Sequence, residues 1–567
     1  MINSQIAKLL FELADILEMQ GVDWKPNAYR RAARGIESAE PVEKIYAEKG
    51  NKGLKEIDGV GEGISKHIEE FLKKGKVSEF EKIRTSIPPG LLQMIQIPGL
   101  GPKKVMRLYK EQKIATVEEL ESAIKSGKVE ALDGFGKKSA EDILHGIEFV
   151  KRGTERRLLG EALPIARELC ELVKGVPSVK KVEVAGSLRR RKETIGDIDI
   201  LVTSNDSKKV MDAFIKFPQV QTVLAKGLTK TSVLLENGMQ ADVRVLKEKE
   251  FGAGLQYFTG SKDHNIELRK LAISKGYKLS EYGLFKGEKL VAGKTEEEIY
   301  DELGVKWMPP EMREAQGEIA NSYNLPQVIG YGGIKGDLHM HTTWSDGQGT
   351  IEEMARAAQK LGYEYIAITD HSKSEHIANG MDEKRLTEYI KAIRKAQESA
   401  KIKIFAGAEV SIMKDGSLDY TDKDLKKLDI VIASVHSRFK QSKEEMTKRV
   451  LTALDNPYVH ILGHPTGRLL NVREPFEIDI DAVFTKAKKN NIALEINSNP
   501  PRLDLKDSHV RQAVEKGCLL MIDTDAHAPK QLEYMELGIA QARRGWAAPK
   551  NIVNSWSLKE FEKWLKR

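Results

Sequence analysis

Cysteine is nearly absent: Cys170 and Cys518 are the only two in 567 residues. Two thiols frame no disulfide scaffold, and such usage suits a reducing, intracellular compartment. No run of 18 apolar residues occurs, so no membrane span is expected. The start, Met1 to Leu17, carries Glu12 and Asp15 among its apolar residues, unlike a secretory leader. The expectation is a cytoplasmic protein. A strong excess of either charge is missing too. Lys and Arg total 91 against 84 Asp and Glu, a net of +7, so bulk charge identifies no nucleic-acid partner and local clusters must carry that argument. What remains is a soluble, globular composition, 40% apolar and 31% charged. The chain is too long for one core, and roughly three to four domains are expected.

Two constellations of different donor chemistry stand out against that background. One is carboxylate only: Gly186-Ser187, then Asp197-Ile-Asp199, then Asp242. The other is rich in histidine: His339, His341, Asp346, His371, Glu409, His436, His464, Asp525 and His527. All-oxygen sites suit Mg²⁺, whereas imidazole with carboxylate suits Zn²⁺ or Mn²⁺. Two metal-dependent reactions in one chain are the expectation.

Residues 1–150 read as helices broken by Gly and Pro, with a loose repeat at Gly59-Val-Gly61, Gly99-Leu-Gly101 and Gly134-Phe-Gly136. Glycine permits positive φ there and lets backbone amides approach a phosphate at the next helix N-terminus. Such contacts read no base, so binding would be independent of sequence. One Gly-x-Gly is an ordinary helix turn. Three, two of them near Lys103-Lys104 and Lys137-Lys138, resemble the helix-hairpin-helix motifs of DNA repair proteins.

In a strand, residues i and i+2 share a face, so Asp197 and Asp199 project together and Asp242 can join them from a neighbouring strand. Lone Asp-x-Asp pairs are common at strand ends. Three clustered carboxylates, however, repel one another unless cations hold them. Two Mg²⁺ about 4 Å apart would do so and suit in-line phosphoryl transfer. Gly186-Ser187 can grip a phosphate beside the basic run Arg189 to Lys192. With Gly196 before the pair, the pattern resembles a nucleotidyltransferase palm. Tyr257-Phe258-Thr259-Gly260-Ser261, followed by Asn265 and Arg269, narrows the resemblance to DNA polymerase family X, the polymerase beta relatives. That resemblance covers residues 1 to about 315. It implies that Asp197, Asp199 and Asp242 hold two Mg²⁺, with Asp242 the base toward a primer 3′-hydroxyl. Ser187 and Arg190 would meet the triphosphate, with Gly196, Phe258 and Gly260 in the same nucleotide pocket. Tyr257 would crowd a ribose 2′-hydroxyl, Asn265 would touch the base edge, and Arg269 would face the template.

Lys25-Pro-Asn27-Ala-Tyr29-Arg30 with the first hairpin resembles the small lyase domain of that family. There the sequence departs: His67 and Gly63 stand where the family has lysines. A Schiff base needs a lysine-type amine, so DNA-end binding is expected without efficient lyase chemistry.

Nine of the twelve histidines lie between residues 339 and 527. Seven apolar strand candidates recur there, at 337–341, 365–370, 404–410, 429–435, 459–463, 493–497 and 519–524. Six have a ligand candidate within or just after them, as parallel barrels place functional groups at strand C-termini. His376, His460 and His509 read as structural or surface residues. Asp337-Leu-His-Met-His341, Thr369-Asp-His371 and Asp525-Ala-His527 resemble the polymerase and histidinol phosphatase (PHP) domain. That resemblance implies three metals, Zn²⁺ or Mn²⁺. One would sit on His339, His341, Glu409 and Asp525, and a second, sharing Glu409, on His436 and His464. Asp346, His371 and His527 would hold the third.

The expected architecture is multidomain: a helical helix-hairpin-helix N-terminal region, an α+β nucleotidyltransferase palm and a C-terminal distorted (β/α)7 barrel. Boundaries are placed at 1–85 (lyase-like), 86–150 (second hairpin region), 151–248 (palm), 249–318 (nucleotide selection), 319–335 (linker) and 336–567 (PHP). The function implied is template-directed, gap-filling DNA repair synthesis by a monomer on gapped or primed DNA with dNTPs. A PHP 3′–5′ exonuclease would accompany it, with possible 3′-phosphatase or abasic-site endonuclease activity. The alternatives are a repair nuclease with a vestigial polymerase and a DNA-end-binding scaffold.

Overall fold

Apolar residues at helical spacing, such as Ile6, Leu10, Leu13 and Leu17 on the first helix, are buried along one face. They begin the helical unit that opens the computed structural model. The structure describes residues 2–566 apart from 40–41, 58, 96, 98–99, 131, 133–134, 137–138, 141–142, 145 and 148–155. The chain divides into two units, Met1–Glu155 and Arg156–Arg567.

The first unit holds two small helical cores. One packs helices Ile2–Met19, Lys25–Ser38 and Glu62–Lys74 around Leu10, Ala32, Ile36 and Ile68. The other packs Pro102–Gln112 and Val117–Lys125 around Leu91, Val105, Leu108 and Leu120. Pro102 opens its helix at a first-turn position, where a missing N–H is harmless.

The second unit begins with a five-stranded sheet in the order Val179–Val184, Asp197–Ser204, Gln240–Leu246, Lys230–Leu235, Val220–Lys226. Asp197–Ser204 and Gln240–Leu246 run parallel, while the other pairings are antiparallel. Ile198, Ile200 and Val202 pack with Leu163, Leu169 and Phe214 from the helices behind the sheet. Alternation therefore sends Asp197 and Asp199 to the opposite face. Helices Phe251–Thr259 and Lys262–Ser274, a three-stranded antiparallel sheet and helix Glu296–Glu302 follow.

Seven parallel strands then alternate with helices: Gly336–Asp337, Tyr365–Ile368, Lys403–Ser411, Ile430–Ser434, Ile461–Leu462, Ala493–Asn497 and Leu519–Asp523. They are buried on both faces, as parallel strands require. The first is shorter than the sequence suggested, because the chain leaves the ladder after Asp337. The backbone beyond it still pairs across the remaining gap, through a parallel bridge of Met340 with Ala526 and His341 N–H donating to the Ala526 carbonyl at 2.8 Å. The result is a nearly closed barrel. Within the segment 319–335, expected to link the two halves of this unit, Ser322, Val328, Ile329 and Ile334 are buried, while the other residues are exposed or half-buried. Ile329 is 1% exposed, and its N–H donates to the Ala547 carbonyl at 2.9 Å.

Candidate active sites

Register builds the carboxylate site. Asp199 pairs directly with Asp242 across the two parallel strands, and Asp197 with Gln240. Gly186 has φ +61, and a β-carbon there would collide with the Asp199 carboxylate. The Gly186-Ser187 turn is thus pressed against the acids by a residue only glycine can replace. Lys230 Nζ lies 2.6 Å from Asp242 Oδ2, and Gln240 Nε2 donates to Asp242 Oδ1 at 2.8 Å. Burial, then the charges of Asp197 and Asp242, push Asp199 up to about 7. Asp197 is raised as well, by the protein crowded around it and then by Asp242, although its own surface stays open to solvent. Such mutual opposition fits a cluster that binds cations.

Near the acids, several residues expected to meet the nucleotide bond or pack against one another. The Arg190 guanidinium donates to the Thr259 carbonyl and lies against Gly260, which has φ +68. Asn265 Nδ2 donates to the Tyr257 carbonyl at 2.7 Å, and Gln256 Nε2 to Asn265 Oδ1 at 2.7 Å. Phe258 packs on Tyr257 and under the Arg244 guanidinium, 4.2 Å from its ring centre. Arg269 Nε donates to the Asn265 carbonyl at 3.2 Å. Gly196 precedes the paired acids, with Arg156 beside it.

The barrel gathers the expected ligands at or beyond its strand C-termini. Glu409 is central: His464 Nε2 lies 2.8 Å and His436 Nε2 3.0 Å from Oε1. On its other oxygen, Oε2, His371 Nδ1 lies at 3.0 Å and His339 Nε2 at 3.4 Å. His341 Nε2 is 3.2 Å from Asp525 Oδ1, and His527 Nε2 is 3.4 Å from Asp346 Oδ2. The sets that converge most tightly are His341, Asp346, His371 and His527; His339, His341 and Glu409; and His371, Glu409 and His436. His341 and His371 each fall in two of these sets, where the family resemblance implied one apiece. The His341 ring sits between those of His371 and His527, with centroids 4.3 Å from each. His339 Nε2 and both His341 ring nitrogens are buried with no hydrogen-bond partner. Buried nitrogens are rarely left so, and these aim at carboxylates in the pattern a metal completes. Burial and the neighbouring His371 hold His341 down to about 3, the neutral form that ligation needs. His527 differs: Asp346 and Asp525 outweigh its burial and carry it up to about 9.

Three features escaped the sequence reading. Glu495 lies on the one strand without an expected ligand, yet its carboxylate meets His339 Nδ1 at 2.5 Å and the His464 N–H. It orients two ligands from behind, a role proximity alone reveals. Glu375 reaches His436 Nδ1 at 3.5 Å. Arg473 and Arg502 line the cavity of about 340 Å³ over the ligands, with Phe439, Leu469 and the almost wholly exposed Ile377. Two cations and an apolar rim suit a nucleotide's phosphate and base. Of the three bland histidines, His460 Nδ1 accepts from the Val431 N–H at 3.1 Å and His509 packs on Phe484. His376 stays outside the ligand sets found among the described residues.

In the amino-terminal unit, Gly59 has φ +79, and a β-carbon there would strike the Ala32 backbone. Gly61 and Gly101 stand at the N-caps of helices Glu62–Lys74 and Pro102–Gln112. The Ser139 N–H donates to the Gly136 carbonyl at 2.8 Å. Gly99, Gly134, Lys137 and Lys138 lie outside the described residues.

The two sites together define a class: a polymerase-type nucleotidyltransferase joined to a PHP-type phosphoesterase barrel. Family comparison agrees along the chain. Residues 1–77 match a helix-hairpin-helix domain and 91–148 a SAM-like helix-hairpin-helix tandem. Residues 161–266 match the DNA polymerase beta palm, 254–314 the DNA polymerase beta thumb, and 337–499 the PHP domain. The chain is 41% identical over 577 residues to the DNA polymerase/3′-5′ exonuclease PolX of Bacillus subtilis (strain 168), covering 100% of this chain and 99% of that protein. A probable phosphatase of Thermoanaerobacter sp. (strain X514) is 31% identical over 41% of this chain and 95% of its own length. DNA polymerase lambda of Arabidopsis thaliana is 26% identical over 55% of this chain and 62% of its own. The chain belongs to the prokaryotic family X DNA polymerases that carry a C-terminal PHP domain.

Proposed function

We infer that the chain fills short gaps in DNA by template-directed synthesis and trims 3′ ends with its PHP site, as a repair enzyme. The observation that carries this reading is the presence, in one folded unit, of two separate ligand sets of different donor type. Divalent ions, once bound, supply phosphate charge neutralisation and activation of the attacking oxygen. Asp197, Asp199 and Asp242 would hold Mg²⁺. Asp242 stands nearest the basic Lys230 and would take the proton of the primer 3′-hydroxyl. Ser187 and Arg190 would orient the triphosphate, and Tyr257 would bar a ribose 2′-hydroxyl. In the barrel, the nine ligands from His339 to His527 would hold up to three ions, Zn²⁺ or Mn²⁺. Arg473 and Arg502 would anchor the scissile phosphate. The relationship to probable phosphatases supports removal of 3′-phosphates as well.

The domain boundaries placed from the sequence are proposed with this reading, as is a monomeric, cytoplasmic protein; among the described residues no helix is long and apolar enough to cross a membrane. The test supplies a one-nucleotide gap, dNTPs and each metal in turn. Incorporation of the templated nucleotide, with release of 5′-mononucleotides from the 3′ end when dNTPs are withheld, is the expected result. Untemplated addition, or cleavage only at internal positions, would overturn the reading.

A further inference from the structure

Helix Met535–Arg544 belongs to the barrel domain, yet it buries residues all round. One face carries Leu537, Gln541 and Arg544, spaced i, i+4, i+7. That face meets the palm. Leu537 enters the palm's hydrophobic core, Gln541 Nε2 donates to Glu193 Oε2 at 3.2 Å, and the preceding Glu536 pairs with Arg167 through two bonds of 2.9 and 2.6 Å. Arg544 closes the row. Its side chain is 2% exposed, and every contact it makes points toward the nucleotide pocket or braces it there. Nη1 donates to the Arg190 carbonyl at 2.8 Å and to Glu314 Oε1 at 2.9 Å. Nε and Nη2 hold Asp507 Oδ2 at 3.0 and 2.5 Å. Glu314 Oε1 in turn accepts from Arg190 Nε at 3.1 Å.

We propose that Arg544, a residue of the PHP domain, is a positioning residue for the polymerase reaction: it fixes Arg190 for the nucleotide triphosphate. The inference rests on the reading of Arg190 as a triphosphate contact. Arg544 acts in two ways. It pins the Arg190 backbone through the carbonyl. It also claims part of the Glu314 carboxylate, so that Arg190 is not wholly neutralised by that acid. Without Arg544, Glu314 would pair fully with Arg190 and turn its guanidinium away from an incoming anion. A planar fork is needed to meet Asp507, Glu314 and a carbonyl at once, and lysine lacks it. The barrel thus supplies part of the polymerase pocket's support without touching substrate.

Arg544→Lys keeps the buried charge and tests the geometry. Single-nucleotide gap filling should show the KM for dNTP rising roughly tenfold, since small misplacements of an anchoring group weaken binding steeply. The kcat should change far less, and inhibition by pyrophosphate should weaken in step with the KM. Exonuclease activity on single-stranded DNA, run on the same preparation, should stay at the wild-type rate and so report an intact barrel. Arg544→Met with Glu314→Gln and Asp507→Asn removes the charge and both of its acidic partners; it should raise KM likewise, because the Arg190 carbonyl is again unpinned. Arg190→Lys separates the two levels of the argument. If Arg190→Lys raises the dNTP KM and both Arg544 variants leave it unchanged, the positioning role is wrong while the pocket reading stands. If Arg190→Lys itself leaves KM unchanged, both fall. Equal losses of polymerase and exonuclease in the Arg544 variants would also overturn the proposal, marking a structural residue only.

Discussion

The palm and barrel sites solve the same problem, holding cations for phosphate chemistry, in opposite ways. The palm offers three carboxylates at a sheet face, Asp197 exposed and Asp199 partly so, with Lys230 the one cation ion-paired to Asp242 among the described residues. The barrel offers nine donors, most of them buried, already facing one another within hydrogen-bonding reach. A barrel rim converges ligands from many strands without help from substrate. A flat sheet can only set two neighbouring strands in register and depends on metal and nucleotide to complete the site. The barrel site is therefore preorganised and the palm site conditional.

The sharpest way to break this comparison is to disable each site alone. Asp242→Ala should lower nucleotide incorporation by more than roughly 10²-fold while exonuclease activity persists, and His341→Ala should do the reverse, on the scale of lost electrostatic stabilisation of a transition state. Loss of both activities in either variant, with the fold intact by circular dichroism, would show that the sites are not independent.

Next in size is the support behind the barrel ligands. Glu495→Gln keeps the shape but removes the charge that meets His339 Nδ1 at 2.5 Å. Metal content and exonuclease rate should fall by about 10- to 100-fold, as for other groups that orient ligands from behind, and polymerisation should not change. A wild-type metal stoichiometry and rate would remove Glu495 from that role.

Much of this was legible in the sequence because it follows periodicity. Asp197 and Asp199 alternate with Ile198 and Ile200, and barrel ligands recur at strand ends. The parts that were not legible depend on tertiary proximity. Glu495 sits inside an apolar strand with no histidine to mark it. Arg544 resembles any basic residue at a helix end, where cations are common; only the packing of helix Met535–Arg544 between two domains gives it a partner. The segment 319–335 reads as a linker, but it is tied down at two points that only proximity reveals: the Tyr331 hydroxyl donates to Glu311 at 2.7 Å and Arg543 to the Ile329 carbonyl at 2.7 Å.

A smaller effect sharpens the idea that the palm is conditional. Asp199 is pushed up to about 7, first by burial and then by Asp197 and Asp242. Relative to an unfolded carboxyl, this favours the metal-free fold at low pH, and that contribution is lost as pH rises through about 7. Metal binding runs the other way, because it needs the ionised form. The Mg²⁺ concentration giving half-maximal incorporation should therefore rise by up to about tenfold per pH unit below 7, and level off above it. A midpoint equal at pH 6 and pH 8 would sink this account of Asp199.

The smallest expected effect is a null, in the amino-terminal unit. His67 occupies the place where the family carries its Schiff-base lysine, and the structure packs it tightly: its ring lies 4.8 Å from that of Phe80 and 6.3 Å from that of Tyr29, with Nε2 3.1 Å from Glu79. An imidazole cannot form the imine, whatever its environment. Lys66, the adjacent amine, is exposed and pairs with Glu62 at 3.3 Å; one residue along a helix turns it about 100° from His67. The hairpin itself is kept, since Gly59 has the positive φ and the close approach to Ala32 that only glycine allows. A 5′-phosphate in a gap should still bind through backbone amides, while borohydride trapping of a 5′-deoxyribose-phosphate substrate stays near background. Strong covalent trapping would refute this, and replacing Lys25 and Lys66 in turn would then show which amine had taken over the role.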